Sequence, residues 1–225
     1  MRIKIALLTF CVACLLNWQA QAGIITNGDF QTCNFDHWQK DTDSWGDPGA
    51  TGDFSIINNA GECQAEISVD YLNGATVFDA NTLFTALDLS TSGDEFSLSF
   101  DWSFTSFDLN DDLSDFFFVS LNDGNGNLFD ENGNHGFLIS PSSTTGAGSF
   151  SKTLAPSFNN QSNWFLDFTV QAGFNPESYS SALTIDNVTL TAVTTQVPEP
   201  STLAILLFAL IALSLKHSRF AKKGA

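Results

Sequence analysis

Basic side chains are scarce in this sequence, which has 225 residues, eight Lys and Arg, 25 Asp and Glu, and a formal net charge of −17. The few basic residues lie mainly at the two chain ends, and between residues 23 and 196 only Lys40 and Lys152 remain. Proteins that bind nucleic acid need clustered Lys and Arg to displace counterions from the phosphates. We therefore expect no nucleic-acid partner for the acidic middle of the chain.

Residues and motifs that carry catalysis are also scarce. Between residues 23 and 196 the only histidines are His37 and His135, and the H-E-x-x-H, G-x-S-x-G and phosphate-loop motifs are missing. Pairs of carboxylates, as glycoside hydrolases use, are inevitable among so many acids and therefore do not indicate hydrolysis. The sequence predicts a protein that is not an enzyme and has no catalytic residues, with a small polysaccharide hydrolase as an open alternative.

Long apolar runs are missing as well, and the two short ones lie at the chain ends. At the N-terminus, Arg2 and Lys4 precede an apolar run over 5–16, and the small-x-small pattern of Ala20, Gln21 and Ala22 follows. The run is too short to span a hydrocarbon layer of about 30 Å as a membrane anchor. These features predict a helical signal peptide over residues 1–22.

The C-terminal end has three parts: a linker (194–202), an apolar run (203–215) and a basic tail (216–225). The linker contains a short motif, made of Val197, Pro198, Glu199 and Pro200. Its prolines favour an extended conformation, and the apolar run would rise only about 20 Å as a helix. We expect a short transmembrane helix with its basic flank in the cytoplasm, and a plain anchor helix is the simpler alternative.

This order of V-P-E-P-S-T, apolar helix and basic tail resembles the PEP-CTERM protein-sorting signal of Gram-negative bacteria. In that family the motif marks substrates of an exosortase, a membrane enzyme associated with exopolysaccharide and biofilm production. The resemblance implies that Val197, Pro198, Glu199 and Pro200 form a sorting motif for such an enzyme. It further implies export through the inner membrane, transient anchoring, and final placement at the cell surface or in the extracellular matrix.

Cysteine usage agrees with export. Cys11 and Cys14 lie in the predicted signal, so the mature protein keeps only Cys33 and Cys63. In an oxidising compartment this pair would form a disulfide that stabilises the domain by roughly 3 kcal/mol. No C-x-x-C spacing or cluster of histidines near them indicates a metal site.

The mature domain, residues 23–193, has the periodicity of strands. Apolar and polar residues alternate over 96–104, 164–170 and 66–71, while 115–121 is a more continuous apolar run typical of a central strand. Clusters of Gly, Asn, Asp and Ser separate these segments, and no long helical pattern intervenes. The pattern predicts an all-β fold, a two-sheet antiparallel β-sandwich of jelly-roll type filled by aromatic residues.

Both ends of this domain resemble jelly-roll carbohydrate-binding modules. The segment 24–30, ending in Asn27, Gly28, Asp29 and Phe30 and followed by Trp38, is similar to their opening strand, and the segment 183–190 is similar to their closing strand. Within the closing segment the apolar phase changes from Leu183 and Ile185 to Val188 and Leu190. This change predicts a β-bulge at Asp186 and Asn187.

In such modules the terminal strands often share a structural calcium ion, which takes six to eight oxygen ligands. The resemblance implies Asp29 and Asp186 as ligands, with Asn27 or Gln31 as helpers. The alternative is that both acids only cap turns or bond to the sheet. A calcium ion is the only cofactor that we consider.

A second oxygen-rich segment runs from Asp123 to Asn134 and begins like a calcium loop. Leu128 and Asn134 stand where an EF-hand requires Gly and Glu, so a hairpin turn is the better interpretation.

The tryptophans are candidates for stacking on a sugar ring. Trp102 and Trp164 share the apolar phase of their strands, so we expect them to belong to the core. Trp45, in a polar loop, is the one tryptophan that we would test as a ligand platform.

The sequence therefore favours an exported, non-enzymatic protein of the cell surface or exopolysaccharide matrix, sorted through its C-terminal signal. A lectin-like carbohydrate-binding module is the first alternative, with the exopolysaccharide as its ligand.

Overall fold

The computed structural model describes residues 25–42, 53–69, 80–90, 95–106, 114–173 and 181–193. The chain divides into two units, Met1–Val193 and Thr194–Ala225, and every described residue belongs to the first unit. The described elements are eleven strands and one short 3-10 helix, Pro156–Phe158. The strands are β1 (Gln39–Thr42), β2 (Phe54–Asn59), β3 (Glu62–Val69), β4 (Ala80–Leu89), β5 (Glu95–Thr105), β6 (Phe116–Asn122), β7 (Leu128–Phe129), β8 (Ile139–Ser142), β9 (Gly146–Thr153), β10 (Gln161–Gln171) and β11 (Ser181–Val193).

The strands form two antiparallel sheets. Sheet A has the order β1-β4-β10-β6-β7, with β8 also paired to β6, and sheet B has the order β2-β3-β11-β5-β9. The pairs are nested along the chain, because β3 pairs with β11, β4 with β10, β5 with β9 and β6 with β8. Successive pairs alternate between the sheets, which is the connectivity of a jelly roll. The predicted two-sheet antiparallel sandwich is confirmed.

Aromatic side chains fill the space between the sheets. Seven Phe rings are fully buried, namely Phe30, Phe96, Phe100, Phe104, Phe117, Phe158 and Phe168. Phe100 of sheet B stacks on Phe150 and meets Phe168 of sheet A edge-on, with centroids 4.8 and 5.0 Å apart. Burying each such side chain contributes about 1.5–3 kcal/mol, so this aromatic layer is a major source of stability.

The segment before β1 differs from the sequence prediction. Residues 25–30 form turns rather than an opening strand. Asn27 and Phe30 have φ values of 54° and 51°, which a strand does not accommodate. The Asn27 side chain donates to the backbone carbonyls of Asn34 and Asp36, and these bonds hold the turns in place.

The predicted bulge lies where the phase change indicated. In β11, Asp186 pairs with Asp101 and Thr189 with Ser99, so two residues of β11 oppose one residue of β5. Asn187 adopts a φ of 53° at this point. The bulge brings Val188 N within 2.8 Å of Gly28 O, which ties the opening turns to the last strand.

The predicted disulfide is confirmed. Cys33, in the opening turns, is bonded to Cys63 of β3, with their Cα atoms 5.4 Å apart. The bridge joins the segment before β1 to β3, the second strand of sheet B.

Several predicted features lie outside the described residues. They are the signal peptide (1–22), Trp45, the motif at Val197, Pro198, Glu199 and Pro200, the apolar run (203–215) and the basic tail (216–225). Within the described ranges, no helix is long and apolar enough to cross a membrane.

Candidate functional site

The outer face of sheet A carries rows of side chains that run across its strands. Side chains alternate between the two faces of a sheet along each strand, and residues paired across neighbouring strands lie on the same face. A residue whose side chain points away from the core is therefore paired with residues whose side chains also point away from it. One outward row consists of Gln39, Phe84, Asp167 and Ser120, and the next consists of Asp41, Thr82, Thr169 and Phe118. Polar groups therefore occupy the middle of this face, beside phenylalanine rings.

A groove of ≈ 310 Å³ lies on this face and is called here the Asp167 groove. It is lined by Asp41, Thr82, Phe84, Asn122, Gly124, Gly126, Phe165 and Asp167. Four strands and the turn after β6 thus contribute to it. Its volume is at the lower end of the range for ligand sites, and its mixture of rings, amide, hydroxyl and carboxylates suits a polar ligand with apolar faces.

Asp167 is the buried acid of the groove. The residue is 7% exposed, and Asn122 Nδ2 donates to its Oδ2 over 2.8 Å. Burial raises the pKa of Asp167 to about 6, the Asn122 hydrogen bond opposes this rise, and the Asp41 charge adds to it. The carboxyl is therefore partly protonated in mildly acidic solution, and its ionised form makes the folded state less stable.

Aromatic rings flank these polar groups. Phe84 and Phe165 meet edge-to-face with centroids 5.8 Å apart, and both rings are half-buried. Farther along β6, Phe118 meets Phe137 in the same manner at 5.1 Å. Half-exposed rings beside hydrogen-bonding groups are what recognition of a sugar requires, since a pyranose has apolar C–H faces and polar edges.

The wall of the groove beyond β6 is the turn that resembled a calcium loop. Backbone N–H groups of Asn125 and Asn127 donate to Asp123 Oδ1, and Asn127 Nδ2 donates to Oδ2. The Asn127 side chain, foremost among these donors, lowers the pKa of Asp123 to about 2. Since β6 and β7 pair antiparallel across this turn, the hairpin interpretation is confirmed.

The next loop repeats the arrangement. Asp130 Oδ1 accepts from the backbone N–H groups of Asn132 and Asn134, and its Oδ2 accepts from the Asn134 side chain. These donors, the backbone N–H of Asn134 first among them, lower the pKa of Asp130 although burial acts to raise it. Hydrogen bonds within each loop therefore occupy both carboxylate oxygens of Asp123 and of Asp130.

The tryptophans that the structure describes are placed in or against the core. Trp38 is 6% exposed, donates from Nε1 to Asn27 O over 3.0 Å, and packs on Phe30. Trp102 and Trp164 are half-buried and pack against the core cluster. Trp102 and Trp164 thus contact the core from its edge and are not fully buried members of it.

The predicted calcium ligands lie near the joint between the opening turns and β11. Asp29 Oδ1 accepts from Gln31 N, whereas both oxygens of Asp186 have donors, Asn187 N and Gln64 Nε2. The Gln31 side chain donates to Glu62 Oε2 over 3.0 Å. Within the described ranges, no group of three or more His, Cys, Asp or Glu residues is arranged to hold a metal ion.

Calcium binding there stays a prediction, and the fit is incomplete because existing hydrogen bonds occupy most of the carboxylate oxygens. If calcium binds the folded protein at this joint, millimolar calcium will raise its melting temperature relative to chelator. The variant Asp186→Ala will lose that response. Identical melting curves in calcium and chelator would favour the alternative that both acids only form hydrogen bonds.

No protein-family model and no curated protein matches this sequence. Among solved structures, the chain is similar to TmCBM61, determined in complex with β-1,4-galactotriose, with a TM-score of 0.48, 12% identity, and coverage of 76% of this chain and 99% of that one. The CBM22-1 xylan-binding domain of Paenibacillus barcinonensis Xyn10C has a TM-score of 0.43, 10% identity, and coverage of 77% and 96%. Caldicellulosiruptor saccharolyticus CBM27-1, in complex with mannohexaose, has a TM-score of 0.45, 16% identity, and coverage of 73% and 94%.

Sequence reasoning missed the groove. Its signal lay in the polar phase of β10, where Phe165 and Asp167 alternate with the apolar residues of the same strand. In β10 these two residues occupy the alternate positions that usually point to solvent, and a phenylalanine is unusual there. This is the one clue in the sequence that the outer face of the sheet binds a ligand. Phe84 is paired with Asp167, and Asn122 with Phe165. Both can be recognised as residues of the groove only once the register of the strands is known.

Proposed function

We propose that this protein is an exported carbohydrate-binding protein whose sugar ligand lies in the Asp167 groove. The observation that carries the proposal is the combination, in one groove, of the Phe84 and Phe165 rings with two carboxylates, an amide and a hydroxyl. The rings offer contact to the apolar face of a pyranose, and the polar groups offer hydrogen bonds to its hydroxyls.

Two groups in the groove have a defined role in this proposal. Asp167 Oδ2 is held by Asn122, so the carboxylate is oriented before any ligand arrives. Hydrogen bonds to a charged group contribute about 1.5–3 kcal/mol, which makes Asp167 the main polar determinant of affinity. Phe165, packed edge-on against Phe84, has a restricted ring and loses little entropy on binding.

Calorimetric titration of the purified protein with hexasaccharides of glucose, mannose, xylose, galactose and glucosamine tests the proposal. We expect one or more of them to bind, and Phe165→Ala to weaken that binding about tenfold or more, as loss of about 1.4 kcal/mol implies. Asp101→Asn is a control on the other sheet, because Asp101 belongs to β5 of sheet B and does not line the groove. Absence of binding, or equal loss in Phe165→Ala and Asp101→Asn, would refute the groove as the site.

A small polysaccharide hydrolase is the second candidate, favoured by one observation. Asp41 and Asp167 share the groove, and burial first, then the Asp41 charge, raises the pKa of Asp167 to about 6. A protonated carboxyl near an ionised one is the pair that glycoside hydrolases use. Measuring reducing ends released from the same hexasaccharides separates the candidates, because a binding protein leaves them intact.

Export and sorting complete the proposal. A sugar-binding protein of this acidity would act outside the cell, in or on a polysaccharide matrix, after an exosortase-type enzyme has processed its C-terminal signal. Glu199→Ala is expected to leave the folded domain intact and to retain an unprocessed, membrane-bound precursor. Mass spectrometry of the secreted wild-type protein checks this, and a C-terminus at Ala225 on that protein would contradict processing.

A further inference from the structure

The Asp167 groove is electrostatically one-sided. Among the residues that the structure describes, its lining includes Asp41 and Asp167 and no Lys, Arg or His. The basic side chains of the described ranges are Lys40, Lys152, His37 and His135. Of these, Lys40 lies on the inward phase of β1 with Nζ 3.9 Å from the centroid of the Phe35 ring, and Lys152 belongs to sheet B. The negative charge of the groove thus has no cationic partner among the lining residues.

Hydrogen bonding at the floor of the groove is incomplete. Among the described residues only Asn122 donates to the Asp167 carboxylate, and it donates to Oδ2. Directly across the strand pair, Ser120 is 0% exposed and its hydroxyl has no hydrogen-bond partner. A buried polar group without a hydrogen-bond partner destabilises the folded state. Asp167 Oδ1 therefore has no donor among the described residues, although Asp167 lines the groove.

We propose that the ligand of this groove carries a protonated primary amine, as a de-N-acetylated amino-sugar polymer does, and that Asp167 is the counter-ion of that amine. The proposal rests on the proposed function and specifies its ligand class. An ammonium group has three donors, so it can donate to Asp167 Oδ1 and still has donors for a second acceptor in the lining, such as the Asp41 carboxylate. Charge-assisted bonds of this kind are about twice as strong as neutral ones.

The same geometry selects against other sugars. A uronate or sulfated polymer would bring an anion towards Asp41 and Asp167. Like charges at close range repel each other when no cation lies between them, so such a polymer binds weakly. A neutral sugar avoids this repulsion but leaves the groove charge uncompensated. An amino sugar satisfies both the charge and the missing donors, so the groove discriminates among sugars by amine content.

Binding should depend on pH with a defined sign. The other titratable groups on the elements around Asp167 are Asp41 of β1, Asp88 of β4 and Asp123 in the turn after β6, all of them acids, while Lys40 is on the inward phase of β1. A cationic ligand favours the ionised form of Asp167, whose pKa burial raises to about 6. Affinity therefore increases as the pH rises through about 6, and it decreases again at higher pH, where the amine of the ligand loses its proton.

Titration of the purified protein with four hexamers tests the proposal: glucosamine, N-acetylglucosamine, glucose and galacturonate, at about pH 6.5 and about 0.15 M salt to screen nonspecific attraction. We expect the glucosamine hexamer to bind about tenfold or more tightly than its N-acetylated form, and galacturonate to bind least. Asp167→Asn should remove the preference for the amine, whereas Asp101→Asn, with the same charge change on the other sheet, should retain it. Asp41→Asn, a second groove variant, should reduce the preference.

The outcomes separate this inference from the proposed function. Equal affinity for the acetylated and free-amine hexamers overturns the amine proposal and leaves sugar binding intact. A preference that Asp167→Asn and Asp101→Asn reduce equally also overturns it, because attraction of a polycation to an acidic protein would then explain the preference. Failure of these four hexamers to bind overturns the amine proposal, and failure of the mannose, xylose and galactose hexasaccharides as well overturns both proposals.

Discussion

Replacing Asp167 by Asn is expected to stabilise the protein at neutral pH and not at acidic pH. Burial raises the pKa of Asp167 from 3.8 to about 6. The Asn122 hydrogen bond opposes this rise, and the Asp41 charge adds to it. At about 1.36 kcal/mol per pKa unit, this difference corresponds to about 3 kcal/mol of unfavourable free energy once the carboxyl is ionised. The amide that replaces it has nearly the same shape, and its carbonyl oxygen can still accept from Asn122.

The sign follows from the two protonation states. Below about pH 3.8 the carboxyl is protonated in the folded and unfolded chains alike, so ionisation contributes nothing to the free energy of unfolding. Above about pH 6 it is ionised in both, and the folded state bears the full penalty. Stability of the wild-type protein therefore decreases through this group as the pH rises from about 3.8 to about 6, and the variant lacks that decrease.

Urea unfolding of both proteins, with the disulfide intact, measures the effect. We expect Asp167→Asn to raise the free energy of unfolding by about 3 kcal/mol at about pH 7.5 and by less than about 0.5 kcal/mol at about pH 3.5. Equal gains at the two pH values would show that packing, and not ionisation, is the cause. A loss of stability at neutral pH would refute the assignment of a penalty to this carboxyl.

Two further predictions concern the joint between the opening turns and β11. Gly28→Ala should destabilise the protein by more than about 3 kcal/mol, because a Cβ there would lie 1.9 Å from Val188 O. Gly146→Ala is the control and should cost about 1 kcal/mol or less, because its Cβ would meet nothing closer than 4.0 Å. Thermal unfolding of both variants checks the difference, and similar melting temperatures would contradict it. Reduction of the bond between Cys33 and Cys63 should lower the free energy of unfolding by about 3 kcal/mol. Labelling of two free thiols in the unreduced, unfolded protein would disprove the bridge.

The strands were predictable because their periodicity is local. Apolar and polar residues alternate over most of β3, β5 and β10, and burial of one face of a sheet produces that alternation directly. The bulge in β11 was predictable for the same reason, since an extra residue reverses the phase. The opening turns were not, because the positive φ values of Asn27 and Phe30 depend on hydrogen bonds to residues farther along the chain.

By itself, the sequence determined that the domain is an acidic, aromatic-rich all-β sandwich with one cysteine pair, because composition and periodicity constrain which side of each strand is buried. Only the tertiary structure decided which outward residues meet. Asp167, Asn122 and Phe84 lie on three different strands, and register and strand order alone place them side by side. The raised pKa of Asp167 likewise arises from burial by neighbours distant in sequence, and no local pattern encodes such burial.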